Sequence, residues 1–189
     1  CNAMGSGVNL AEGLGQLTAY GLDQKVVTMC GDSTFFHTII PGLVNASYHH
    51  ANMLLMVLDN SATAMTGFQP HPGTGITAMG DYTQAMSIEK ICEAIGCQVT
   101  IADPFDVKGT SKILRDLLDQ DGLKVLIMKQ PCATLMSKQT TKRLKVYVDQ
   151  DICYGDGCGC DKFCSRVWGC PGNSWDFTKK YPMTEASQT

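Results

Sequence analysis

Two groups of residues in this chain have the types and spacing to hold metals. Gly31-Asp32-Ser33, with Asp59-Asn60 further on, offers a carboxylate, an amide oxygen and permissive backbone. Magnesium takes hard oxygen ligands in near-octahedral array and shares them with phosphate oxygens, so Asp32, Asn60 and one nearby backbone carbonyl suit a metal-bound diphosphate. Gly31 lets the backbone come close to such a group, and neighbouring N–H groups can cradle it. The second group is Cys153, Cys158, Cys160, Cys164 and Cys170, crowded into one segment and followed by Pro171. Thiolates at that separation can converge on one iron–sulfur cluster, four of the five serving as ligands; a structural zinc ion is the competing use of four thiolates. Together the two groups point to an enzyme that breaks a carbon bond and removes electrons singly.

The elements around these residues must bring Asp32 and Asn60 to one place. Runs at 26–30, 53–58, 98–101 and 125–128 are almost uniformly apolar, which predicts strands of a parallel sheet covered on both faces. Between them, Ser87 is placed to cap a helix with Ile88, Ile91, Cys92 and Ile95 on one face and Gly96 at its end. Asp106 is placed to cap another, with Val107, Leu114, Leu117 and Leu118 as its stripe. Asn9 and Glu12 have capping-box spacing ahead of a helix ending near Gly21. This alternation predicts an α/β fold, a three-layer parallel sheet, at 1–136. A helix around 41–50 would link the first two strands, so that Asp32 and Asn60 leave the same carboxyl edge, where open α/β sheets bind ligands.

The stretch 61–80 is Gly- and Pro-rich, lacks a period and is too long for an ordinary connection, so it reads as a functional loop. His71, between Pro70 and Pro72, is a candidate for meeting a substrate carboxylate or for acid–base work, with a turn-filling role as its rival. His37, just after the Gly-Asp-Ser motif, is a second candidate. His49 and His50 end the helix around 41–50, where a dipole or surface role is expected. A basic polar linker at 137–150 leads to a small cysteine-rich, ferredoxin-like tail at 151–189.

Composition narrows the classes. The excess of 18 acidic over 15 basic residues is too slight to mark a partner of nucleic acid or of an anionic membrane. No apolar run approaches the roughly 20 residues a bilayer span needs. Cys1, Cys30, Cys92, Cys97 and Cys132 are scattered in apolar contexts, unlike a disulfide framework, and a reducing, cytoplasmic setting is expected. The chain opens at Cys1 inside a Gly-rich motif and is read as part of a longer polypeptide.

The run Gly31-Asp32-Ser33-Thr34-Phe35-Phe36-His37, and a second running from Leu58-Asp59-Asn60 through Met65-Thr66-Gly67-Phe68-Gln69 to His71-Pro72-Gly73, resemble the thiamine diphosphate-binding domain of the 2-oxoacid:ferredoxin oxidoreductases. They are most similar to the large subunits of its indolepyruvate group, across about 1–132. The resemblance implies that Asp32, Asn60 and the Ala62 carbonyl bind magnesium. Gly31, Ser33, Thr66, Gly67 and Gln69 would contact the cofactor or the substrate. It further implies oxidative decarboxylation of an aryl 2-oxo acid, with coenzyme A as acyl acceptor, a 4Fe-4S cluster in the tail and ferredoxin as electron acceptor. Cys164 and Cys170 match the closing half of the related cluster motif and Cys153 its opening, with Cys158 or Cys160 completing it. Such enzymes activate the cofactor with a glutamate on a pyrimidine-binding domain. Glu12, Glu89, Glu93 and Glu185 lie in no matching context, so a second domain or subunit of a hetero-oligomer is expected. Two alternatives remain open: a non-redox thiamine diphosphate lyase or decarboxylase with a zinc-bearing tail, and an electron-transfer module without carbon chemistry.

Overall fold

The computed structural model describes residues 6–139 together with positions 149, 151, 152 and 167. The chain divides after Gln139 into two units; the five candidate cluster cysteines of the second lie outside the described residues.

The first unit is built on four parallel strands, β1 (Val27–Gly31), β2 (Met53–Asp59), β3 (Gln98–Ala102) and β4 (Leu123–Lys129), in the order β1-β2-β4-β3. Residue alternation along β2 divides the interior. Met53, Leu55 and Val57 join one cluster with Val8 and Ala11 of α1 (Ser6–Leu17), Leu43 and Ala46 of α3 (Ile40–Tyr48), and Ile88 and Cys92 of α4 (Ile88–Ile95). Leu54, with Met56 packed beside it, faces the other way with Leu126, against Leu117, Ile113, Leu114 and Leu118 of α5 (Val107–Leu118). Three layers result, as the apolar periodicity implies.

The caps act as the sequence suggests. Ser87 accepts a hydrogen bond from the Lys90 N–H at 3.2 Å, and Asp106 accepts one from the Gly109 N–H at 3.0 Å. Gly96 closes α4 at φ 94°, a left-handed conformation that a Cβ would disfavour.

Three expectations need correction. Asn9 and Glu12 form no capping box, because α1 is already helical from Ser6; Glu12 is buried and accepts from Asn45 of α3 at 2.7 Å. Val107 is 68% exposed, and Ile113 takes its place on the buried stripe of α5. The sheet is not covered evenly: on the α5 side Val27, Met29 and Leu58 are exposed, since α5 packs over β3 and β4 and stops short of β1.

The link from β1 to β2 is also longer than the 41–50 helix expected. Helical backbone starts at once as α2 (Asp32–Thr34), widens into a π turn at Phe35–Ile39, and resumes as α3. Pro41 lies at the start of α3 and has no N–H to return to the His37 carbonyl, which accounts for the widened turn just before it. The last helix, α6 (Ala133–Gln139), follows β4.

Candidate functional site

Asp32 sits where β1 ends, and the fold surrounds its carboxylate with donors from distant parts of the chain. Oδ1 accepts the Ser33 N–H at 2.7 Å. Oδ2 accepts the Asn60 N–H at 3.1 Å and the Ala62 N–H at 3.3 Å, both from the exit of β2. The parallel pairing of β1 with β2, which sets Gly31 beside Leu58, places that exit next to Asp32. The exit is fixed from the other side by β4, because the Gln130 N–H donates to the Asp59 carbonyl and the Cys132 N–H to the Asn60 carbonyl, each at 3.0 Å. Asn60 Oδ1 accepts from the Ala62 N–H at 3.0 Å, which holds the amide oxygen within the same tight loop. Ser61 adopts φ 60°, a left-handed conformation unfavourable for a residue with a Cβ, which the loop's hydrogen bonds must offset.

Asp32 is only 2% exposed, and among the described residues its one salt-bridge partner is His71. His71 Nε2 lies 3.2 Å from Asp32 Oδ2. His71 Nδ1 accepts the Gly73 N–H at 3.1 Å, so in the neutral ring the proton belongs on Nε2, toward the carboxylate. That approach is close but poorly aligned, and Nε2 makes no well-formed hydrogen bond, so the contact is electrostatic. Phe36 stacks on the imidazole with ring centres 5.6 Å apart. Sequence reasoning missed Phe36 and Gly73 as neighbours of the site; the Pro72-Gly73 step beside His71 was the available signal.

The other candidates fall into two places. Thr66, Gly67 and Gln69 form a small exposed loop closed on itself. The Thr66 hydroxyl donates to Gln69 Oε1 at 2.6 Å, and Gln69 Nε2 donates to the Thr66 carbonyl at 2.8 Å. His37 is exposed in the turn Phe35–Ile39. Beside His71, a cleft of about 210 Å³ opens at the carboxyl edge, bordered by Asp59, Lys129, Ser87 and Met86. Asp59 and Lys129 pair across it at 3.8 Å. Cys30 lies below Asp32, its thiol pushed up to about 12 by burial and then by the Asp32 charge, so it is a protonated core thiol at neutral pH.

Among the described residues no cluster of three or more His, Cys, Asp and Glu side chains could hold a metal. The expected magnesium set is of another kind: one carboxylate, one amide oxygen and one backbone carbonyl, all hard oxygens. The residues present fit it. Burying a carboxylate is costly unless it is paired, and Asp32 is buried among backbone N–H donors beside His71, with the oxygen-bearing Asn60–Ala62 loop folded onto it.

Residues 1–128 match the family model described as "Thiamine pyrophosphate enzyme, C-terminal TPP binding domain". The chain is 38% identical over 177 residues to the indolepyruvate oxidoreductase subunit IorA of Archaeoglobus fulgidus, covering 93% of this chain and 27% of that protein. It is 36% identical over 189 residues to the subunit of the same name from Pyrococcus horikoshii, covering 94% and 29%. The chain thus spans under a third of the length of these relatives. An X-ray structure from Mycobacterium smegmatis, assigned to the thiamin diphosphate-dependent enzymes, shares the fold with a TM-score of 0.51 at 23% identity, over 69% of this chain and 22% of that one. With residues 1–128 matched to that family model, the chain belongs to the thiamine pyrophosphate enzymes as a C-terminal TPP-binding domain.

Proposed function

We propose that this chain supplies the magnesium–diphosphate half of a 2-oxo acid oxidoreductase acting on an aryl 2-oxo acid of the indolepyruvate type. The observation that carries this reading is the convergence of Asn60 and Ala62 on the buried Asp32 carboxylate. Its likeness to two IorA subunits supports the substrate class. Asp32, Asn60 Oδ1 and the Ala62 carbonyl would bind magnesium, with Gly31 and Ser33 close to the diphosphate. Thr66, Gly67 and Gln69, on their exposed loop, would reach the cofactor and the substrate. When bound, thiamine diphosphate supplies the nucleophilic carbon and the electron sink that let a 2-oxo acid lose carbon dioxide.

Four of Cys153, Cys158, Cys160, Cys164 and Cys170 would hold a 4Fe-4S cluster that passes electrons to ferredoxin, and coenzyme A would take the acyl group. The activating glutamate would come from a pyrimidine-binding domain or partner subunit. Replacing Asp32 with Ala in the assembled enzyme is expected to abolish magnesium-dependent thiamine diphosphate binding, measured by titration calorimetry. Undiminished affinity would sink the assignment.

A further inference from the structure

We infer that His71 is a positioning residue for Asp32, holding the carboxylate in the orientation in which it can take a magnesium ion. This rests on the reading of Asp32 as a magnesium ligand and adds to it a residue of the long loop with a different task from acid–base work on the substrate.

Residues 61–86 are largely exposed, and His71 is the one ionisable side chain of that loop buried beside the site, 5% exposed. The imidazole is held on three sides. Phe36 stacks on one face, the Gly73 N–H fixes Nδ1, and Nε2 lies 3.2 Å from Asp32 Oδ2. Position 73 admits no side chain without disturbing this arrangement, since a Cβ there would lie 2.9 Å from Phe36 Cε2 and 3.0 Å from His71 Cε1. A ring locked in this way, with its remaining nitrogen close beside a buried carboxylate, has the form of an outer-shell group that orients a metal ligand. The buried Nε2 lacks a well-formed hydrogen bond, so it gains nothing as a mere core filler; among the described residues it forms a close charged contact with the Asp32 carboxylate. Through the same contact His71 ties the loop that carries Thr66, Gly67 and Gln69 to the metal ligand.

Two substitutions separate positioning from turn filling. His71→Asn keeps an oxygen able to accept the Gly73 N–H but loses the donor toward Asp32. His71→Gln places an N–H near the position of Nε2 but gives up the fit to Gly73. The readout is the magnesium concentration that half-saturates thiamine diphosphate binding in the assembled enzyme, followed by protein fluorescence with no substrate present. Positioning predicts a roughly 10-fold or greater rise for His71→Asn, the range seen for outer-shell partners, with His71→Gln restored toward the wild type. Equal loss in both variants, or loss in His71→Gln alone, would assign His71 to the turn and overturn the inference. Wild-type binding with His71→Asn unchanged would overturn it while leaving the proposed function intact. A wild type that binds no thiamine diphosphate with magnesium would overturn both.

Discussion

A methyl group at position 73 has no free volume, because the ring edges of Phe36 and His71 already meet the space it would fill. Gly73→Ala must therefore push His71 away from Asp32 or tilt Phe36, whose neighbour Phe35 is fully buried. We expect the variant to fold with a lowered melting temperature and to need more magnesium for thiamine diphosphate binding; a variant with wild-type values in both measurements would mean the loop absorbs the methyl group by itself. Thiol chemistry gives a second test at this scale. Cys97 is pulled below its ordinary pKa by a hydrogen bond from Cys92, against the opposing effect of its burial, while donating that bond and being buried push Cys92 up. The thiolate is the nucleophile, so Cys97 is the member of the pair that reacts first. Cys92→Ala removes the donor, raises the Cys97 pKa and should slow its alkylation at pH 8. Cys92→Ser keeps a donor and should preserve the rate, as read by mass spectrometry of the labelled peptide.

At the level of elements, α1 carries an internal comparison. A Cβ on Gly15 would meet the Asn52 carbonyl oxygen at 3.1 Å, the Ala51 Cβ at 3.2 Å and the Asn52 nitrogen at 3.2 Å, and two of these are backbone that cannot swing aside. A Cβ on Gly13 would meet nothing within 4 Å. Gly15→Ala should accordingly destabilise the protein by about 1–3 kcal/mol, as overpacking does. Gly13→Ala should stabilise it by up to about 1 kcal/mol, since alanine is the better helix former. Urea unfolding of the two variants measures the difference, and equal effects would show that α1 does not pack against the start of β2 through Gly15. The cap on α4 offers a smaller change of the same type. Ser87→Ala loses the bond to the Lys90 N–H and should cost about 1 kcal/mol.

For the whole molecule, the proposed reading gives each of the two units a test of its own. If the tail cysteines hold the cluster, protein prepared without oxygen should contain about four iron and four sulfide per chain. Zinc without sulfide would make the tail structural and bring the non-redox lyase to the front. The described part carries no helix long and apolar enough to cross a membrane. Of its glutamates, Glu12 accepts from Asn45 of α3, and Glu89 sits in the first turn of α4.

The features legible in the sequence are those governed by neighbours in the chain. Uniformly apolar runs, Ser87 and Asp106 as caps, Gly96 as a stop and the Asp32 and Asp59-Asn60 motifs at strand ends all follow from side-chain type and spacing within a turn or two. They were enough for the layered architecture and for placing Asp32 and Asn60 on one edge. Tertiary structure alone decided the contacts whose partners are remote in sequence. His71 turned toward Asp32 because the loop after β2 folds back under the stacked Phe36. Glu12 left its expected cap to meet Asn45 across the α1–α3 contact. Met29 emerged exposed on a strand that reads as buried, since its apolar character does not say how far α5 reaches across the sheet. Local propensity acts over a few residues, whereas the surroundings of a buried carboxylate are set by which strand ends become neighbours, and that is fixed only when the sheet has formed.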